Sequence, residues 1–473
     1  MNQQKVIWIG VACVITLPCF LQAQTITQDE FLNQLRKKHP VFQKEALNSK
    51  IHQEEQNSLS GAEDWNVFSS INYAHEEPMI AIAGPEKTDA VSVSGGVERL
   101  FWNTGGHLSV SFSSAWANIK LDPIFGFPES FYQNQINLSY SHPLLKNKNG
   151  YLNRLQHDLK QFDIDLSDVQ SKENMEDFLK AAALKFLDWV FLSEHQQIVI
   201  DRLKLSEEEL DRVKRKREAN LVDQVDVIRA EDAVRLWTQN RVLIGSQWRA
   251  LQGELAVLAQ QEDIYSAKPD FDLYELQSRL PLKEAVSLLN KKSRILSVMD
   301  IRLNQLNRVR AGFEETSKAD LSVVTELNIK KYDEGLAKSL GLDKPDAIIG
   351  LRYAFPVPNR TARHKIAKTE LQAEQLTKQK EEIAITLNSA LTNLHIQINE
   401  LENVMKLNQE QIESARERTA EELKLYNQGR GDLTFVILSR DNEENAKLTY
   451  AANALTYHKL NLEYDALMDQ LYQ

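Results

Sequence analysis

Tyr426-Asn-Gln-Gly-Arg-Gly-Asp-Leu-Thr-Phe-Val-Ile-Leu-Ser439 is a glycine-containing break between two long helical patterns, one running into it and one running back. Upstream, Leu387, Leu391, Leu394, Ile398, Leu401, Met405, Asn408, Ile412, Ala415 and Thr419 recur at alternating steps of four and three. That is the period of a coiled-coil seam, not of a helix laid on a globular core. Downstream, Leu448, Leu455 and Leu462 recur every seven residues in an Ala- and Tyr-containing helix. The stretch predicts the bend of a long antiparallel helical hairpin.

A second bend of the same kind follows from an internal repeat. Arg36-Lys37-Lys38-His39-Pro40-Val41 aligns with Asn290-Lys291-Lys292-Ser293-Arg294-Ile295, and extension without a gap brings Trp65-Asn66-Val67 onto Ala319-Asp320-Leu321. In both copies a helical segment gives way there to a strand with period-two alternation: Val67, Ser69, Ile71 and Tyr73 in the first, Leu321, Val323, Thr325, Leu327 and Ile329 in the second. Each copy has a returning strand that runs into proline, Ile136 to Tyr140 before Pro143 and Ile349 to Phe355 before Pro356. A long helix and a break follow in each. Arg217-Glu-Ala-Asn-Leu-Val-Asp-Gln-Val-Asp-Val-Ile-Arg-Ala230 lays Asn220 on Gly429, Asp223 on Asp432 and Val227-Ile228 on Val436-Ile437. The expected organisation is a first repeat over 24–259 with its tip near 220, a loop-like linker over 260–282, and a second repeat over 283–473 with its tip near 429. Pro269 and Pro281 flank Phe271, Leu273 and Tyr274 in the linker.

The first copy carries an extra hairpin over 90–117. Ala90 to Leu100 and His107 to Ala117 alternate, and Asn103-Thr-Gly-Gly106 is a good turn between them. About a dozen aromatics lie between Trp65 and Tyr140. Trp102, Trp116, Phe125, Phe127 and Tyr132 suit the aromatic girdle of a transmembrane barrel; a soluble β-domain with an aromatic core is the other reading. The hairpin either joins a barrel wall or stands outside it as a surface loop domain.

Composition limits the functions available. Over 473 residues the mean hydropathy is −0.42 and 26% of side chains are charged. No stretch after residue 23 offers eighteen consecutive apolar residues, which excludes a polytopic helical membrane protein. A net charge of −11, with the four residues Lys214 to Arg217 as the longest basic block, argues against nucleic acid as a partner. Set among glutamates, that block reads as a solvated helix face. Lys5, the apolar run Val6 to Ile15, Pro18 and Ala23 read as a secretory signal peptide over 1–23. Both cysteines, Cys13 and Cys19, fall inside it, so the expected mature chain has no thiol for disulfide, nucleophile or metal. Lipidation at Cys19 is disfavoured by Thr16 and Pro18, which stand where a leucine and a small residue are expected. There is no Gly-x-Ser-x-Gly, His-Glu-x-x-His or phosphate loop, and no enzyme, cofactor or metal is expected. Asp163-Ile-Asp-Leu-Ser-Asp168 lacks the glycine and glutamate of a calcium loop and reads as solvated helix. The ten histidines show no ligand spacing, and most read as surface residues.

A helix from Tyr151 to Ala219 would be roughly 100 Å long, and strands of about ten residues match a tilted bilayer crossing. So few strands cannot close a barrel within one chain, and open strand edges in lipid are costly, so several chains must share one. The duplicated plan, the strand end Tyr140-Ser-His-Pro-Leu-Leu145, and Tyr426-Asn-Gln-Gly429 followed by Val436-Ile-Leu-Ser439 together resemble the outer-membrane efflux channels of the TolC type, over nearly the whole mature chain. The resemblance implies a mainly helical fold of long coiled-coil hairpins forming an α-barrel, with strands given to a shared transmembrane β-barrel. It implies a homotrimer in outer-membrane lipid with a large periplasmic part, a periplasmic adaptor protein, and an inner-membrane RND or ABC transporter that supplies the energy for efflux or type I secretion. It makes Asp226 and Tyr426 a latch between neighbouring hairpins, a charge-assisted yet breakable contact. The family's arginine near that latch falls at Gly431, leaving Arg430 or Arg229 as substitutes. Asn220, Leu221, Asp223, Gly429 and Asp432 become adaptor-contact tips. Where family members often place aspartates at the pore constriction, this chain has Phe435 and Leu438, which in three copies would make an apolar ring. The alternative reading is a periplasmic adaptor (membrane fusion) protein or an exported coiled-coil scaffold without a pore, which would not need two sets of strands.

Overall fold

The structure, a computed structural model, describes residues 25–77, 86–120 and 128–472. The expected signal peptide with Cys13 and Cys19, and Phe125 and Phe127 of the aromatic set, lie outside the described residues.

The first repeat comprises β1 (Thr25–Thr27), α1 (Gln28–Lys38), α2 (Pro40–Leu59), β2 (Asn66–Glu76), β3 (Lys87–Leu100), β4 (His107–Lys120), β5 (Ser130–Pro143), α3 (Leu155–Glu218) and α4 (Gln224–Ala259). After β6 (Lys268–Asp270), the second has α5 (Leu282–Lys292), α6 (Arg294–Thr316), β7 (Asp320–Asp333), α7 (Leu336–Ser339), β8 (Lys344–Ala354), α8 (Arg360–Asn427) and α9 (Leu433–Leu467). The duplication is visible residue by residue. The bounds of α1 and α5, and the starts of α2 and α6 and of β2 and β7, all differ by 254 positions. Physical causes repeat as well. His39 is extended because Pro40 excludes the helical region before it, and its counterpart Ser293 is extended as the N-cap of α6, accepting from the Leu296 amide. A capping box starts α1: the Thr27 hydroxyl accepts from the Glu30 amide at 3.2 Å and the Glu30 carboxylate accepts from the Thr27 amide at 3.0 Å.

The chain divides into two compact units that cut across the repeats: Met1–Phe42, Glu176–Leu282 and Leu391–Gln473 in one, Gln43–Met175 and Lys283–Ala390 in the other.

The second unit holds a six-stranded antiparallel sheet in the order β2-β3-β4-β5-β7-β8. The inserted hairpin is therefore part of the sheet, not a module beside it. Strand pairing lines up rungs of side chains. Val67, Val97, Val110, Leu138, Leu327 and Ala347 form one apolar rung across all six strands. Their neighbours point to the opposite face, where Phe68, Gly96, Ser111, Asn137, Asn328 and Asp346 form a mostly polar rung. Both outer strands are open: β2 is exposed along its length, and in β8 every residue but one is exposed. Trp102 does not join a girdle. It lies in the β3–β4 turn and is buried, its amide donating to Glu63 Oε1 at 2.8 Å and its ring meeting His157 edge-on at 5.3 Å. Gly150, at φ +66°, lets this turn approach, since a Cβ there would lie 1.5 Å from the Trp102 carbonyl oxygen.

The first unit is helical. Its aromatic core includes Phe31 stacked on Phe186, with Phe186 edge-on to Trp189. Along α8, every predicted seam position in this unit, from Leu391 to Thr419, is buried or half-buried, and Leu387 in the other unit is buried as well. In α9 the expected leucine stripe lies partly on the packed face: Leu462 is buried and Leu448 and Leu455 are half-buried, alongside the buried Ala446, Tyr450, Ala451, Ala454, Tyr457, His458 and Asn461. The packed face thus mixes small alanines with large aromatic side chains. His458 departs from the surface reading of histidines, its Nε2 lying 3.0 Å from the Leu273 carbonyl.

The linker is better ordered than a loop. β6 pairs in parallel with β1, Leu273 is buried, Tyr274 stacks on Tyr450 at 4.5 Å, and Arg279 bonds Glu402 at 2.5 Å and Asn461 at 2.8 Å. Nearby Asp465 is pushed up from 3.8 to about 6 by burial, against the opposing pull of Arg279. A raised carboxylate makes stability full below the unfolded value and lost as pH rises through the folded one. Between about pH 4 and 6 the wild type should thus lose on the order of 2 kcal/mol, allowing for water at a half-buried site, and Asp465→Asn should remove that slope. Denaturant titrations across this range check it; an unchanged slope would exclude Asp465 as its source.

Candidate functional site at the helical tips

Both tips are built alike, and their displacement of 209 positions is constant from the last helical residues Glu218 and Asn427 to the first, Gln224 and Leu433. At the first, the Asn220 amide donates to the Arg217 carbonyl and the Leu221 amide to Lys216. At the second, Gly429 donates to Tyr426 and Arg430 to Leu425 in the same pattern. These bonds satisfy the orphan carbonyls of the last turn, with the left-handed residue that such a C-cap requires. Asn220 is at φ +59° and Gly429 at φ +70°. Asn tolerates this region and Gly has no Cβ to oppose it.

Asp223 and Asp432 precede the return helices as N-caps. The Asp432 carboxylate accepts from the Thr434 amide at 2.7 Å, and this bond holds its pKa below the usual carboxylate range. Asp223 makes no side-chain cap. Under the turns, Val213, Val227, Ala230, Tyr426, Leu433 and Val436 form one buried apolar cluster. The pseudo-equivalent Val227 and Val436 both belong to it, so the two tips are packed against each other by the repeat itself.

Tyr426 lies seven residues beyond Thr419 and continues the seam. The Lys216 ammonium sits 3.6 Å from its ring centroid and donates to its carbonyl at 3.3 Å. The basic run Lys214 to Arg217 is thus not wholly solvated: Lys216 is half-buried against the seam. The buried Tyr426 hydroxyl has no hydrogen-bond partner among the described residues. Burial, then the Asp226 charge, push its pKa up. Asp226 itself pairs with Arg229 at 3.3 Å. Both candidate arginines are exposed, and Arg229 is the one that meets Asp226. A side chain at Gly431 would place its Cβ 2.9 Å from the Tyr426 nitrogen, a local reason for the missing arginine.

Phe435 and Leu438 are 56% and 53% exposed, while Leu433 and Val436 between and beside them are at 2% and 0%. The two apolar side chains therefore turn away from the tip core. Their first-repeat counterparts are Asp226 and Arg229, so this face is ionic in one tip and apolar in the other. A cleft of about 480 Å³ is lined by Asn220, Leu221, Asp223, Asp226, Gly429 and Asp432, among others. It brings most of the expected tip residues together; Phe435, Leu438 and Arg430 are outside its lining.

Sequence reading missed a charged cluster further along the same helices. Arg202 is fully buried and bonds Asp441 Oδ1 at 2.9 Å and Ser206 Oγ at 2.5 Å, with its guanidinium 5.5 Å from the Trp237 ring centre. Glu209 lies 2.5 Å from Arg440 Nε and 3.7 Å from Arg202 Nη1. Burial pushes the Glu209 carboxyl up despite both arginines.

The fold of long paired helices, duplicated tips and an open-edged sheet is shared with solved structures: the outer membrane protein VceC of Vibrio cholerae is similar at TM-score 0.66 and 10% identity, over 93% of this chain and 96% of that one. The Campylobacter jejuni outer membrane channel CmeC gives 0.65 and 10%, over 94% and 86%. The Neisseria gonorrhoeae outer membrane channel MtrE, solved in an open state, gives 0.64 and 13%, over 94% and 89%. By sequence, no protein-family model and no curated protein matches the chain. Among the described residues no helix is long and apolar enough to cross a membrane.

Proposed function

We propose that the chain is a subunit of a passive outer-membrane channel, a homotrimer that exports small molecules or proteins with a periplasmic adaptor and an inner-membrane RND or ABC transporter. The observation that carries this reading is the sheet. One face is apolar on all six strands, the other is mostly polar, and both edges are open, with Ile71 76% and Ile349 81% exposed. Lipid on one side, water on the other and further copies at the edges satisfy all three features at once. An adaptor or pore-free scaffold needs none of them, and the likeness to channels over nearly the whole chain favours the pore.

At the tips, the unpartnered Tyr426 hydroxyl and the nearby Asp226 support a latch between hairpins, with Arg229 as its cation. The protruding Asn220, Leu221, Asp223 and Gly429 suit adaptor contact, with Asp432 shaping the turn as a cap. Phe435 and Leu438 support an apolar constriction. Fractionation tests the whole: the protein should stay in outer membranes after carbonate washing and run as a heat-modifiable trimer. Recovery as a soluble periplasmic monomer would overturn it.

A further inference from the structure

The duplicated plan alone supplies four strands, two from each repeat; β3 and β4 are additional. We propose that this hairpin is a full part of the pore wall, one face in lipid and the other lining the lumen, so that each copy contributes six strands. Edge β8 of one copy then pairs with edge β2 of the next. The proposal rests on the channel reading above and deepens it.

Three observations carry it. The first is register. Val97 and Val110 complete the apolar rung between Val67 and Leu138, and Gly96 and Ser111 complete the polar one between Phe68 and Asn137. A surface module has no reason to match the alternation of the wall at the same height; a wall strand must, because a slip of one residue would turn every side chain to the wrong medium. The second is anchoring. The β3–β4 turn is fixed by the Trp102 amide on Glu63 and by the close approach of Gly150. The third is direction. Five successive antiparallel pairings separate β2 from β8, so the two edges run oppositely. A second copy can therefore continue the sheet with antiparallel pairing, and both edge strands are eleven residues long.

Three copies of six strands give an eighteen-stranded barrel. Diameter grows roughly linearly with strand number, so the lumen would be about half as wide again as one built from four strands per copy, in the range where barrels hold an open aqueous channel. On this account the barrel is not the size filter, and selection falls to the tips.

Single cysteines test the placement, since Cys13 and Cys19 are the only native ones. The probes are a fluorophore on Val93→Cys or Val110→Cys with nitroxide-bearing phospholipid as quencher, and a charged aqueous thiol reagent on Ser94→Cys or Ser111→Cys. Leu327→Cys and Asn328→Cys in β7 serve as references. The expected result is loss of fluorescence to the lipid quencher at 93 and 110, as at 327, and a stepwise loss of conductance on modification at 94 and 111, as at 328. Any variant that does not reach the membrane is replaced by Val97→Cys or Ser92→Cys on the same faces. Water access at 93 and 110, with 327 quenched by lipid, would overturn the six-stranded wall and leave the channel standing. Absence of lipid quenching at 327 as well would overturn the channel reading itself.

Discussion

Glu209→Leu should lower the stability of the helical unit by about 3–5 kcal/mol, the usual cost of removing one member of a buried ion cluster. The substitution leaves Arg440 without the carboxylate that lies 2.5 Å from its Nε, and leaves Arg202, with no exposed surface, only Asp441 as a charged partner. The penalty comes from stranding the arginines, because burial already weighs against ionised Glu209 in the intact cluster. Replacing the three buried members together, as Arg202→Met, Glu209→Leu and Arg440→Met, should therefore restore most of the lost stability, because the remaining Asp441 is a third exposed and can turn to water. Urea denaturation in detergent separates the two variants. If Glu209→Leu alone were neutral, the three groups would not be energetically coupled.

Phe435→Ala and Leu438→Ala should each raise single-channel conductance several-fold, and the double variant should exceed both. The two side chains are more than half exposed in the single chain, on a helix whose neighbouring positions are packed. Three copies of each around an axis would form an apolar ring, which closes by excluding water and not by binding ions. Millimolar divalent cations should accordingly have little effect on the wild type, while Phe435→Asp should create block. Strong block of the wild type would sink the apolar ring, and so would unchanged conductance in the double variant.

The repeat, the tips and all six strands of the sheet were legible from sequence because each depends on local chemistry: alternation in the strands, heptads in α8, and turn residues at Asn220 and Gly429. For Tyr426 the sequence allows both a latch and ordinary seam packing, and its place one heptad past Thr419 agrees with its burial on the seam. What was not legible depends on partners distant in the chain. A lone arginine such as Arg202, in a helix full of charges, looks solvated until Glu209, Asp441 and Trp237 surround it. Lys216 reads as surface until Tyr426 lies beneath it. Alternation in β3 and β4 predicted strands but not their neighbours, which only the pairing to β2 and β5 decides. In α9 the leucines drew attention from Ala451, Ala454 and Tyr457, which have no exposed surface.

Purified from outer membranes and added to a planar lipid bilayer, the wild-type protein should insert as a trimer and give discrete current steps of uniform size. A protein that remains monomeric and leaves the bilayer silent would contradict the channel and point to a pore-free adaptor or scaffold.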